Sequence, residues 1–105
     1  MRRMNLAMIP WEDDDAPVRS HLEETLLEDG YDPYAWVDEP GKHYEQHTHE
    51  HDENIWVIRG SMEFDVGGQR FNLGPGDRLM LPRGHKHAAT AGPEGCEYLI
   101  GQRRG

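Results

Sequence analysis

Beyond Gly30 the chain is cut into short apolar runs by closely spaced turn formers, and no fold built on long helices survives that punctuation. Pro40-Gly41, Gly60, Gly67-Gly68, Gly74-Pro75-Gly76-Asp77, Pro82-Arg83-Gly84 and Ala91-Gly92-Pro93 leave room only for strands between them. Those intervals read as strands by composition. Tyr34, Trp36 and Val37 suggest one, and residues 42–48 another. Ile55 to Ile58 is a continuous apolar run. Met62, Phe64 and Val66 alternate with polar neighbours up to the Gly67-Gly68 hairpin, and Phe71 and Leu73 return. Leu79 to Leu81, the segment around His87, and Tyr98 to Ile100 complete the set. Strands at this pitch predict an all-β sandwich or barrel.

The first third differs. Residues 4–11 suit a short edge strand before the acidic run Glu12 to Asp15. Asp15 is placed to cap a helix with Pro17 in its first turn. Val18, Leu22 and Leu26, with Leu27 beside them, form an apolar stripe that Gly30 stops. The expected helix covers about 16–29, within an N-terminal segment 1–33 that packs on a barrel of residues 34–105.

At 105 residues and 35% apolar content, one modest core is all the chain supplies, or it completes that core by dimerising. A net charge of −9 repels phosphate backbones and argues against nucleic-acid binding, with Arg2, Arg3, Arg103 and Arg104 read as solvated ends. No apolar stretch approaches the roughly 20 residues that span a bilayer. The single Cys96 excludes an internal disulfide and reads as a small buried hydrophobe, so a cytoplasmic location is expected.

Chemistry concentrates in His47, His49 and Glu53, inside one seven-residue window, and in His87 farther on. Imidazole and carboxylate are the donors that hold Mn, Fe, Co, Ni, Cu or Zn. On a straight strand His47 and Glu53 would stand roughly 20 Å apart, whereas donors to one ion sit at about 2.0 to 2.2 Å from it. The chain must therefore bend through Glu50, His51 and Asp52, and all four side chains must enter one cavity. A cluster of surface histidines on a hairpin is the plainer alternative.

The spacing of these residues resembles the cupin family. Gly41, five residues, His47, one, His49, three, Glu53, six, Gly60 matches its first motif. Gly76, five residues, Pro82, one, Gly84, two, His87 matches the second, with Ala91 where the family's asparagine usually stands. The likeness covers Gly41 to about Gln102. It implies a single jelly-roll β-barrel similar to small single-domain bacterial cupins, holding a divalent metal through His47, His49, Glu53 and His87, commonly as a homodimer.

Further roles follow from residue type. Trp56, Phe64, Phe71, Leu81 and Tyr98 read as core or pocket wall, and Tyr34 and Trp36 as packing for the N-terminal segment, with the pocket mouth as the alternative. Arg59 and Arg78 read as members of surface ion pairs. No catalytic residue stands out, although Glu63 or His51 could serve as a base. The expected activity is that of a metal-dependent, dioxygenase-like oxidoreductase acting on a small chelating organic molecule. A metal-assisted isomerase and a non-catalytic sensing module, signalling through the acidic helix, remain alternatives.

Overall fold

A computed structural model describes residues 3–104, so Arg2 lies outside the described residues. The elements run β1 (Ala7–Ile9), α1 (Arg19–Glu28), β2 (Tyr31–Asp38), β3 (His43–His47), β4 (Glu53–Val66), β5 (Gln69–Leu73), β6 (Arg78–Leu81) and β7 (His87–Arg103). Strand order is β1-β6-β4-β7-β2, with β3 added to β7 and β5 to β4, all antiparallel. The fold is an all-β barrel with one helix.

Two long strands create the barrel by serving both of its walls. The first half of β4 pairs with β6 and with the second half of β7. Its second half pairs with β5 and with the first half of β7. Each strand turns the corner at glycine. Gly60 (φ +77°) and Gly95 (φ +79°) interrupt the ladder where the backbones touch: a Cβ on Gly60 would stand 2.1 Å from the Gly95 carbonyl oxygen, and one on Gly95 2.6 Å from that of Asp38. No other residue fits such an approach.

Alternation along the strands separates two apolar clusters. Ile55, Val57, Met62, Phe64 and Tyr98 face into the barrel, while Trp56, Ile58 and Leu99 face out beneath Leu22 and Leu26 of α1. Because both faces of Ile55–Ile58 are covered, that run is apolar throughout rather than alternating.

The N-terminal elements are shorter than expected. Within 4–11 only Ala7–Ile9 pairs, against β6. The helix starts at Arg19 behind Val18, with no side-chain cap, because the chain at Asp15 is used otherwise: its carbonyl accepts the Trp11 indole N–H at 2.9 Å. Pro17 then disfavours helix in the residue before it. Of the expected stripe, Leu22 and Leu26 are buried, whereas Val18 and Leu27 are exposed.

Several side chains depart from their expected settings. Tyr34 and Trp36 do not pack under the N-terminal segment but stand half exposed on β2, at one end of the strand order. Among the described residues Arg78 forms no ion pair; it lies 4.2 Å over the Trp56 ring, half-buried. Arg103 and Arg104 are not a free basic end, since they pair with Asp52 and Asp32. Arg59 does pair with Glu97, at 2.7 Å. Cys96 is buried as expected, and burial pushes its thiol up to about 12. Among the described residues no helix is long and apolar enough to cross a membrane.

Candidate metal centre

His47 ends β3 directly opposite His87, which opens β7. His49 stands in the connection after β3, and Glu53 opens β4 opposite Gln102. The bend that the spacing requires is held by hydrogen bonds from backbone N–H groups. The Gly84 N–H donates to the His49 carbonyl at 2.9 Å, the Arg83 N–H to Asp52 Oδ1 at 2.9 Å, and the Arg103 N–H to the Asp52 carbonyl at 3.1 Å. The Pro82-Arg83-Gly84 turn thus sets the path of the first histidine segment as well as introducing His87. Asp52, flanked by candidate ligands, acts on the loop.

The three imidazoles converge, with ring nitrogens that all lie within 4.8 Å of one another. Ring centroids are 4.7 Å apart for His47 and His49, 4.3 Å for His47 and His87, and 5.1 Å for His49 and His87. Glu53 Oε1 is 3.7 Å from His49 Nε2. Glu53 and His87 are each 3% exposed, whereas His47 and His49 are half-buried at the rim.

Two of the rings are oriented by the same device. His47 Nδ1 lies 2.6 Å from the Glu45 carbonyl oxygen, and His87 Nδ1 lies 2.9 Å from that of His85. A carbonyl can only accept, so Nδ1 carries the hydrogen, which in the neutral ring leaves the Nε2 lone pair for a metal, as in metal-binding histidines. Burial, then the neighbouring imidazoles, lowers the pKa of His49. Burial also lowers that of His87, with His47 adding to the effect, against the hydrogen bond to His85. Burial raises Glu53, opposed by His47 and His51. Three converging imidazoles, two of them with Nδ1 held by a carbonyl, beside one carboxylate fit a divalent cation: the dication would leave a net charge near +1 and no repelling ammonium or guanidinium at the centre.

These four residues line one cavity of about 160 Å³, whose remaining wall is largely apolar: Ile55, Met62, Phe64, Ala89 and Ile100, with Trp36 at one side. The two candidate bases lie elsewhere. Glu63 is exposed on the outer face of β4, and His51 is exposed on the loop, facing a separate cleft with His85 and Arg83. Ala91, where the family's asparagine usually stands, is buried in the apolar interior.

The polar group at the cavity's inner end has no counterpart in the expected site. Tyr44 and Tyr98 line the cavity, and both donate to Asp38, to Oδ1 at 2.7 Å and to Oδ2 at 2.6 Å. Tyr98 read from sequence as plain wall. Asp38 resembles an ordinary turn residue ahead of Pro40-Gly41, and only its 60-residue separation from Tyr98 in sequence, closed by the fold, gives it a role.

Comparison with known proteins agrees with this architecture. The model of the cupin domain family matches residues 35–100. A curated acireductone dioxygenase of Puccinia graminis f. sp. tritici is 42% identical over 53 residues, which is 45% of this chain and 29% of that protein. The chain thus spans less than a third of that relative. Among solved structures, a cupin-2 domain protein from Shewanella frigidimarina superposes with a TM-score of 0.62 at 25% identity, over 71% of this chain and 72% of that one. The DMSP lyase DddQ from Ruegeria pomeroyi gives 0.65 at 24% identity, over 97% of this chain and 47% of that one, a likeness of fold. With a family match across most of the barrel and the same fold in its structural relatives, the chain belongs to the cupin family.

Proposed function

We propose that the protein is a divalent-metal cupin whose ligands are His47, His49, Glu53 and His87, and that it works as a dioxygenase-like oxidoreductase on a small chelating organic substrate. The observation that carries this reading is the convergence of three imidazoles, two of them oriented by backbone carbonyls, at the rim of a cavity with an apolar wall. A divalent ion with open coordination positions supplies Lewis acidity there and, when it is Fe, Mn, Ni or Cu, access to O2 chemistry. The chain's own contribution is to hold the donors, exclude water with Ile55, Phe64 and Ile100, and admit a molecule of about one ring, since cavities near 150 Å³ accept benzene. The partial likeness to an acireductone dioxygenase supports oxygen chemistry ahead of isomerisation.

A purely sensing role has less support. Signalling through the acidic helix would draw on the apolar stripe of α1, and Leu22 and Leu26 of that stripe are spent on the barrel. Beyond the exposed Val18 and Leu27 at α1, three large apolar side chains stand exposed together on β2, Val37 at 75% and Tyr34 and Trp36 at 50% each, which supports a homodimer formed through this strand. Light scattering on wild type and a Val37→Asp variant tests that; a monomeric wild type removes it.

The functional test begins with elemental analysis of untagged protein purified without added metal or chelator. Near-stoichiometric Fe, Mn, Ni or Cu, followed by O2 uptake with enediols or diketones, supports the reading. Stoichiometric zinc without O2 uptake sends the assignment to isomerase or binding roles.

A further inference from the structure

Asp38 ends β2 opposite Cys96, 8% exposed, away from the four candidate ligands. Its place is dictated by the close stack of Gly60, Gly95 and its own carbonyl, so it cannot withdraw from the barrel without opening that corner. Tyr98 faces Val57 across the sheet, four residues along β4 from Glu53, roughly 13 Å of strand. Tyr44 and Tyr98 nonetheless line the same small cavity as the four candidate ligands, so the Tyr44–Asp38–Tyr98 clamp forms a second polar station in it, with Tyr98 well past Glu53 along the sheet.

A phenol owns one hydrogen. Here both phenols spend it on the carboxylate, each on a different oxygen, at 2.7 and 2.6 Å. What remains on the phenol oxygens is acceptor capacity. Burial, together with the carboxylate, raises both phenols above their ordinary range, so neither ionises near neutral pH. A molecule that makes a hydrogen bond at this end must donate it. An anionic group there would meet a buried carboxylate and two oxygens without a hydrogen to offer.

We propose that this clamp selects the ligand: the cavity takes a small chelating compound, about one ring in size, that carries a hydroxyl or other neutral donor at the end away from the histidines, and it rejects one that carries a carboxylate there. The inference rests on the metal reading above and deepens it by naming the substrate class.

Three ring chelators that share one chelating edge and differ at a single substituent test it. Kojic acid carries a hydroxymethyl group, allomaltol a methyl, and comenic acid a carboxylate. Zinc, which is redox-silent, serves as the probe ion, and binding to the zinc-loaded full chain is read by calorimetry. Kojic acid is expected to bind about three- to tenfold tighter than allomaltol, the worth of one neutral hydrogen bond, and comenic acid at least about tenfold weaker than allomaltol. In Asp38→Asn the amide donates to one phenol and frees its hydrogen, so comenic acid should gain on the other two. Tyr44→Phe, at a half-buried position, provides a second variant in which the kojic acid advantage shrinks. Equal affinities, a preference for comenic acid, or zinc uptake with no binding of any of the three overturns the clamp while leaving the metal reading in place. Failure to take up zinc overturns the metal reading and this inference with it.

Discussion

The two ends of the cavity are ordered by different means. At the rim, backbone does the ordering: carbonyls two residues upstream orient His47 and His87, and three backbone N–H groups pin the loop between His49 and Glu53. At the inner end, side chains from β2, β3 and β7 order one another around the Asp38 carboxylate. The difference has a consequence for mutation. Deleting a rim side chain leaves its backbone scaffold standing, so binding is lost and the fold is kept. Deleting a member of the clamp leaves a buried polar atom without its partner, which costs stability.

The strongest way to break that contrast is the His47→Ala, His87→Ala double variant. Its metal affinity should fall by more than about 100-fold, measured by competition with a chromogenic chelator, while its circular dichroism matches wild type. Stoichiometric metal in this variant would remove the rim as the site. Glu53→Gln comes next, with an expected loss of about 10- to 100-fold. Unchanged affinity there would reduce the site to its three imidazoles.

Tyr98→Phe probes the other end. The phenol donates to a charged acceptor, and removing it should cost about 1.5 to 3 kcal/mol of unfolding free energy, read by urea denaturation, with metal stoichiometry unchanged. A variant as stable as wild type would mean that water or Tyr44 satisfies Asp38, and the contrast between the ends would fail.

The same contrast explains what was legible in the sequence. The rim is local: a seven-residue window and one turn carry its donors, and Gly60, one of the two corner glycines, falls within the same spacing, whereas Gly95 does not. The clamp is not local. Asp38, Tyr44 and Tyr98 have no spacing that sets them apart from turn and wall residues, because only the β2–β7 register brings them together. Tertiary covering misled the reading elsewhere too. Arg78 looks like a surface cation until Trp56 and the segment around α1 are placed over that face of the sheet. The later start of α1 has a local accompaniment instead: the Trp11 indole, four residues before Asp15, holds the Asp15 carbonyl.

The smallest expected effect is the pH dependence of the metal-free protein, and it too separates the groups by their setting. His49 and His87 have folded pKa values below the ordinary 6.5. The unfolded chain therefore binds more protons than the folded one as pH drops through that value. Their contribution is complete above pH 6.5 and is lost as pH falls toward the folded values. Glu53 runs the other way: its folded pKa lies above the ordinary 4.5, so its contribution is present below that value and is lost as pH rises through the folded one. Between pH 7.5 and 5.5 the two histidines should dominate, and thermal midpoints of the metal-free protein should decline modestly. Added metal should raise the midpoint most at pH 7.5, because protons compete for Nε2 as pH falls. In Glu53→Gln the opposing contribution disappears, and the decline toward pH 5.5 should steepen. A metal-free midpoint that rises on acidification instead would place Glu53, and not the imidazoles, in control of the rim.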